Sequence, residues 1–168
     1  SPIQVVMGDL DGDGKRDLVV KNSASISVLR NTGSTGLLTL SSFASKVDFS
    51  AGSLWSVYNN SIIIGDIDGD LKLDIALTDD SFISVFRNIS SVGNFTSSSL
   101  AAKVTILPGG TGSNFLGMVD IDADGKLDIF SHGSWSFAVR RNVATSGTIS
   151  SSSFTSPVVV DSEIPIES

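Results

Sequence analysis

The chain has no cysteine, which removes disulfides, thiolate nucleophiles and zinc–thiolate sites together. Its one histidine, His132, rules out a site built on several imidazoles; it follows an apolar run and reads as a surface or packing residue rather than a base. Lysine and glutamate are scarce, whereas serine, threonine, glycine and asparagine abound. That profile suits short strands joined by turns better than helices. No apolar run approaches the roughly eighteen residues of a membrane helix, so no membrane insertion is expected. The opening "SPIQVVMGD" lacks a basic stretch followed by an apolar core and does not read as a signal peptide. No basic stripe appears, which argues against nucleic acid as a partner. Neither a G-x-S-x-G elbow nor a phosphate-binding glycine loop is present. "PGGTGSNF" at 108–115 is glycine-rich but opens no helix, and reads as a connection.

What is present begins with 168 residues at 40% hydrophobic content, enough for one domain with a real core. The net charge of −7 is unevenly spread. Twelve of the 18 acids stand in three stretches: "DLDGDGKRD" at 9–17, "DIDGDLKLD" at 66–74 and "DIDADGKLD" at 120–128. The other six acids face eleven bases. The acidity is therefore local, and carboxylates that close repel unless something neutralises them. Three divalent cations would bring the total to about −1.

These stretches also set a register. Asp9 to Asp66 is 57 residues and Asp66 to Asp120 is 54; "VLRN" ending at Asn31, "VFRN" at Asn88 and "VRRN" at Asn142 repeat the same two steps. The chain is thus three copies of one unit. Each copy carries an apolar run before the acidic loop ("QVVMG", "IIIG", "FLGMV") and another after it ("DLVVK", "DIALT", "DIFSH"). A third run alternates in "SISVLRN" and "FISVFRN", less cleanly in "SWSFAVRRN", and a fourth follows as "KVDF", "KVTIL" and "PVVV". Alternation at period two is the mark of a half-buried strand, and no segment sustains a helical period. The reading is all-β: three four-stranded antiparallel repeats, divided at about 1–54, 55–111 and 112–168, each a β-propeller blade with its acidic loop between first and second strands. A β-sandwich of three hairpin pairs is the competing reading, which repetition of the whole unit disfavours. Propellers close with about four to eight blades, so further blades of a parent chain, or a homo-oligomer, are expected to complete the ring.

Aspartates at positions 1, 3 and 5 of a tight loop turn three carboxylates toward one centre: Asp9, Asp11 and Asp13; Asp66, Asp68 and Asp70; Asp120, Asp122 and Asp124. The backbone carbonyl at position 7 (Lys15, Lys72, Lys126) is placed to join them, with the lysine side chain pointing to solvent. Asp17, Asp74 and Asp128 at position 9 close the shell. Oxygen-only ligation with several anionic groups suits Ca²⁺ better than Mg²⁺. Gly14 and Gly125 at position 6 permit a sharp turn, and Gly12 and Gly69 keep position 4 uncrowded. An EF-hand starts in the same way but needs Glu at position 12 and flanking helices; here position 12 holds Val20, Leu77 and Ser131 between strands.

The D-x-D-x-D-G-x-x-D loop set between apolar strands resembles the FG-GAP/VCBS repeats of integrin α-subunit propellers and secreted bacterial proteins. The resemblance covers nearly the whole chain. It implies Ca²⁺ at each loop, one ion per repeat, on the four aspartates of that loop. Two positions depart from the pattern: Leu71 replaces the turn glycine of loop two, which strains that turn, and Ala123 replaces glycine in loop three. The Phe-Gly and Gly-Ala-Pro signatures of integrin repeats are absent, so the bacterial type is the nearer match.

The expected function is a secreted or cell-surface, non-catalytic module stabilised by calcium, since a shell saturated by protein oxygens leaves no room for substrate. Its ligand would be a glycan or a surface protein. A self-assembling ring or filament subunit, and an accessory propeller of a larger secreted carbohydrate-active enzyme, are the alternatives. Trp55, Tyr58, Phe115 and Trp135 are the aromatics able to stack on sugar, with Trp55, Tyr58 and Phe115 placed in inter-repeat links. Packing between blades is the competing role for these aromatics. Sequons stand at Asn59, Asn88 and Asn94, and the serine-rich stretches 96–99 and 150–153 read as exposed loops.

Overall fold

A computed structural model describes residues 1–51, 61–79, 82–106, 115–132 and 136–161. Trp55, Tyr58, Asn59, Trp135, residues 108–114 and the repeat boundaries near 54 and 111 lie outside the described residues.

Among the described residues, twelve strands form three antiparallel sheets, each in simple sequential order. Blade one holds β1 (Pro2–Gly8), β2 (Asp17–Asn22), β3 (Ser25–Leu29) and β4 (Val47–Ser50). Blade two holds β5 (Ile62–Gly65), β6 (Asp74–Asp79), β7 (Phe82–Phe86) and β8 (Val104–Ile106). Blade three holds β9 (Phe115–Val119), β10 (Asp128–His132), β11 (Ser136–Arg140) and β12 (Val158–Asp161). Among the described residues there is no α-helix; two single 3₁₀ turns occur at Leu40–Ser42 and Ser151–Ser153. Within the irregular third run of copy three, Ser136–Arg140 nevertheless forms β11, paired in register with β10 and β12.

The acidic loops lie where the spacing places them. Each leaves from a residue paired with the first residue of the next strand: Gly8 with Asp17, Gly65 with Asp74, Val119 with Asp128. The blades stack through their first strands, β1 beside β5 and β5 beside β9. The core accordingly lies between blades. One cluster joins Leu10, Val19, Ile26 and Val28 of blade one to Ile62, Ile75, Leu77, Phe86, Phe95 and Leu100 of blade two. The second repeats it one blade on, with Ile67, Ala76, Ile83 and Val85 against Leu116, Ile129 and Phe154. Each sheet so has an entry face toward the blade before and an exit face toward the blade after, and period-two alternation sends neighbouring residues to opposite faces.

Two glycines lie where the first strands approach, and a side chain on either would have to displace the end of a neighbouring one. A Cβ on Gly8 would lie 2.5 Å from Ile64 Cδ1 and 2.6 Å from Leu73 Cδ1, and one on Gly65 would lie 2.9 Å from Leu127 Cδ1.

Two expectations change. Phe115 does not lie in the link: it opens β9, with its ring 5.9 Å from that of Phe130. The serine stretches are not wholly exposed. Ser99 and Ser153 are buried, and so is their counterpart Ser42. Their hydroxyls accept the N–H of Thr96 (2.8 Å), Ser150 (2.9 Å) and Thr39 (3.0 Å). A turn that folds back on its own backbone buries the hydroxyl that closes it.

Candidate metal centres

In each loop the position-1 carboxylate organises the turn. Asp9 accepts from the N–H of Asp13 (3.1 Å) and Gly14 (2.8 Å). Asp66 does so from Asp70 (3.0 Å) and Leu71 (2.9 Å), and Asp120 from Asp124 (3.1 Å) and Gly125 (2.9 Å). Position 5 then accepts from the position-7 N–H in all three loops, at 2.9 to 3.0 Å. Folding this tightly puts positions 4 and 6 in the left-handed region. Gly12 (68°), Gly69 (70°) and Ala123 (60°) share it at position 4, and Gly14 (86°), Leu71 (68°) and Gly125 (86°) at position 6. The position-4 glycines thus serve backbone conformation rather than space, and both departures from glycine fall on positive-φ sites.

The outcome is a convergence of acids. Asp9, Asp11 and Asp13 bring one carboxylate oxygen each within 4.8 Å of the others, as do Asp66, Asp68 and Asp70. In loop three the trio is Asp120, Asp122 and Asp128. Asp124 instead pairs with Arg141 Nη2 at 2.9 Å. The fourth acid, at position 9, also has a backbone duty. Asp17 Oδ2 accepts from Leu10 N–H (2.9 Å) and Oδ1 from Asn31 N–H (2.8 Å). Asp74 repeats this with Ile67 (3.0 Å) and Asn88 (2.8 Å), and Asp128 with Ile121 (3.1 Å) and Asn142 (2.7 Å). Position 9 therefore clips the loop entrance to the end of the third strand.

The lysines of position 7 correct an expectation. Lys72 and Lys126 do not point to solvent: their ammonium groups donate to Ser90 O (2.8 Å) and Ala144 O (2.9 Å). Their chains lie along the blade because the backbone turns back just after Asn88 and Asn142, presenting a carbonyl in reach. Lys15 lies 3.8 Å from Asp13.

Sequence reasoning used the R-N pair as a landmark and missed its work. Arg87 donates to Asp68 and Asp70, Arg141 to Asp122 and Asp124, and Arg30 Nη1 lies 3.6 Å from Asp11 Oδ2. Arg87 and Arg141 offset the carboxylates of positions 3 and 5, and Arg30 that of position 3. The asparagines join blades: Asn88 Nδ2 donates to Leu10 O of blade one (2.7 Å) and to its own Leu73 O (3.0 Å). Asn142 does the same with Ile67 O (2.7 Å) and Leu127 O (3.0 Å). The signal was available, since R-N ends 22 residues after the first aspartate of every loop.

The donor set fits a hard cation. It is oxygen alone, and Asp11 Oδ2 is buried without a hydrogen-bond partner among the described residues. Burial raises the carboxyl pKa of Asp11, with neighbouring Asp13 adding to it. Burial likewise raises Asp17, and lifts Asp74 to about 7 against the opposing hydrogen bonds from Asn88 and Ile67. A group pushed toward its neutral form by desolvation returns to the charged form when a cation supplies the missing field.

Of the remaining candidates, His132 ends β10 and is exposed, and Asn88 is fully buried with its amide engaged. Asn94 is exposed. Among the described residues no helix is long and apolar enough to cross a membrane. In comparison with known proteins, the family described as FG-GAP-like repeat matches residues 9–77 and, overlapping them, 66–131. No curated protein matches the chain significantly.

Proposed function

Because the chain belongs to the FG-GAP-like repeat family, we propose that it is a non-catalytic recognition module of a secreted or cell-surface protein, its blades set by Ca²⁺ in the three loops. The observation that carries this reading is the recurrence of three converging carboxylates at one place in each blade. In each loop the aspartates of positions 1, 3, 5 and 9 would hold the ion, with the carbonyls of Lys15, Lys72 and Lys126. Calcium, with its larger and more flexible shell, suits this set better than magnesium. Millimolar calcium outside cells fills even weak sites of this type. The acids are engaged in building their own turns, which supports a structural rather than catalytic use of the ion. Recognition of a glycan or a surface protein would then fall on the faces that the loops hold in place.

Calorimetric titration of EDTA-stripped protein checks the metal. Calcium is expected to bind at up to three sites per chain and magnesium far more weakly. Calcium at a hundred times Kd stabilises by about 2.7 kcal/mol per site, so the melting temperature rises by many degrees. An unchanged melting temperature in protein shown to be metal-free would refute the reading. A glycan array with calcium and with EDTA checks recognition, for which a calcium-dependent signal is expected.

A further inference from the structure

Asp11 and Asp68 stand at position 3 of loops one and two and are buried alike, at 2% and 3% exposed. Their Oδ1 atoms do the same work, accepting the N–H of Asp13 (3.3 Å) and of Asp70 (3.2 Å). Their Oδ2 atoms differ. Asp68 Oδ2 accepts from Arg87 Nε, and the same guanidinium reaches Asp70 Oδ2 through Nη2 at 2.9 Å. Asp11 Oδ2 has no hydrogen-bond partner among the described residues, and Arg30 Nη1 stands off from it at 3.6 Å. Arg141 makes both contacts of Arg87 in loop three, on Asp122 and Asp124.

The joints between blades account for the difference. In the first, the N–H of Gly93 in blade two donates to Asp11 O (2.8 Å), and Arg30 Nη1 donates to the carbonyl of that same glycine. Gly147 takes the corresponding place in blade three. There the tie is Ser146 Oγ to Gly69 O (3.1 Å), and Arg87 passes beside Gly147, its Nη2 3.4 Å from where a Cβ would stand. The backbone of the next blade thus draws the guanidinium off loop one, while loop two keeps its own. Access does not separate the two loops. A cleft of about 220 Å³ is lined by Asp9 and Asp11 of one and by Asp70 and Lys72 of the other.

These contacts have opposite consequences for a cation. A buried carboxylate oxygen without a donor has lost its water and gained nothing, so an ion placed there recovers that cost. An oxygen that already holds a charged donor must release it first, and a guanidinium cannot yield by losing its proton. We propose that Arg87 is an internal cation for loop two, which calcium enters only by displacing it, so that loop one fills first. The proposal rests on the reading of the loops as calcium sites.

Calcium titration of the EDTA-stripped, isotope-labelled chain, followed by NMR, tests it. The N–H signals of Gly14 and Gly69 report loops one and two, and the Nε–H signal of Arg87 reports the exchange. Loop one is expected to reach its midpoint at a calcium concentration about tenfold lower, the ratio set by one charge-assisted hydrogen bond. The Arg87 signal is expected to move with loop two. Arg87→Gln is expected to tighten loop two about tenfold, whereas Arg30→Gln, which removes the same charge, changes loop one by about threefold or less. Equal midpoints, or loop two filling first, overturn the proposal. So does an Arg87 signal that stays put as loop two fills, a readout that needs no variant. An Arg30→Gln effect on loop one as large as that of Arg87→Gln on loop two would reduce the matter to net charge and overturn it as well. The calcium reading survives all of these results; only a chain whose loop signals ignore calcium altogether overturns both.

Discussion

At the scale of single residues, the loops show a backbone conformation held against its occupant. Leu71 has φ 68° and a side chain 93% exposed, so it endures the left-handed region without packing in return. A non-glycine residue there costs about 1–2 kcal/mol, while glycine adds about 0.5–1 kcal/mol of unfolded-state entropy to be lost. The first effect wins, because no contact is sacrificed. Leu71→Gly is therefore expected to stabilise the metal-free chain by about 0.5–1 kcal/mol, or roughly 2 °C in melting temperature. Gly14→Ala, at the same place in loop one where φ is 86°, is expected to move the other way. Thermal melts in EDTA of both variants check the pair.

At the scale of elements, the blade joint hangs on asparagine. Asn88 is fully buried, and its amide donates to carbonyls of two blades while its oxygen accepts from Ser90. Asn88→Ala strands buried carbonyls and is expected to cost about 2–3 kcal/mol. Asn88→Asp is expected to cost more, because it loses the same donors and buries a charge. Urea unfolding gives the order, and an aspartate variant as stable as wild type would discount the amide donors. This joint also marks where the sequence stops being legible. The acidic loops could be read directly because their hydrogen bonds join residues two to five apart, as Asp9 to Gly14 or Asp13 to Lys15. Strands were legible because apolar runs recur with the loops. The duty of Asn88 toward Leu10 spans 78 residues, and a single sequence shows the recurrence of an asparagine but not its partner. The same holds for Lys72, whose ammonium finds Ser90 O only once β6 and β7 are paired. Position 9 was read as a ligand alone because its backbone partners, Leu10 and Asn31 for Asp17, flank it in space rather than in sequence.

At the scale of the whole molecule, charge and stability are coupled through the loops. The net −7 is concentrated in twelve aspartates, and the folded chain holds some of them partly neutral by burial. Asp74 keeps its proton up to about pH 7 in the fold, against an ordinary value of 3.8. Asp11 and Asp17 are raised as well, first by burial. The native state thus binds more protons than the unfolded chain between those limits, and stability falls as pH rises. The contribution is complete below the unfolded value and is lost as pH climbs through the folded one. Asp48, which hydrogen bonds to Lys46 and Ser27 push down, acts in the opposite sense but only at lower pH. Metal-free protein is therefore expected to be more stable at pH 5 than at pH 8, by about 2 kcal/mol for a fully shifted buried carboxyl. Calcium reverses the slope, because ligand carboxylates must be deprotonated and acid competes with the ion. Melting temperatures at pH 5, 6, 7 and 8, in EDTA and in millimolar calcium, check both signs. A melting temperature in EDTA that rises from pH 5 to pH 8 would mean that the loop carboxylates are already charged without a cation, and that the arginines of the R-N pairs suffice to hold them.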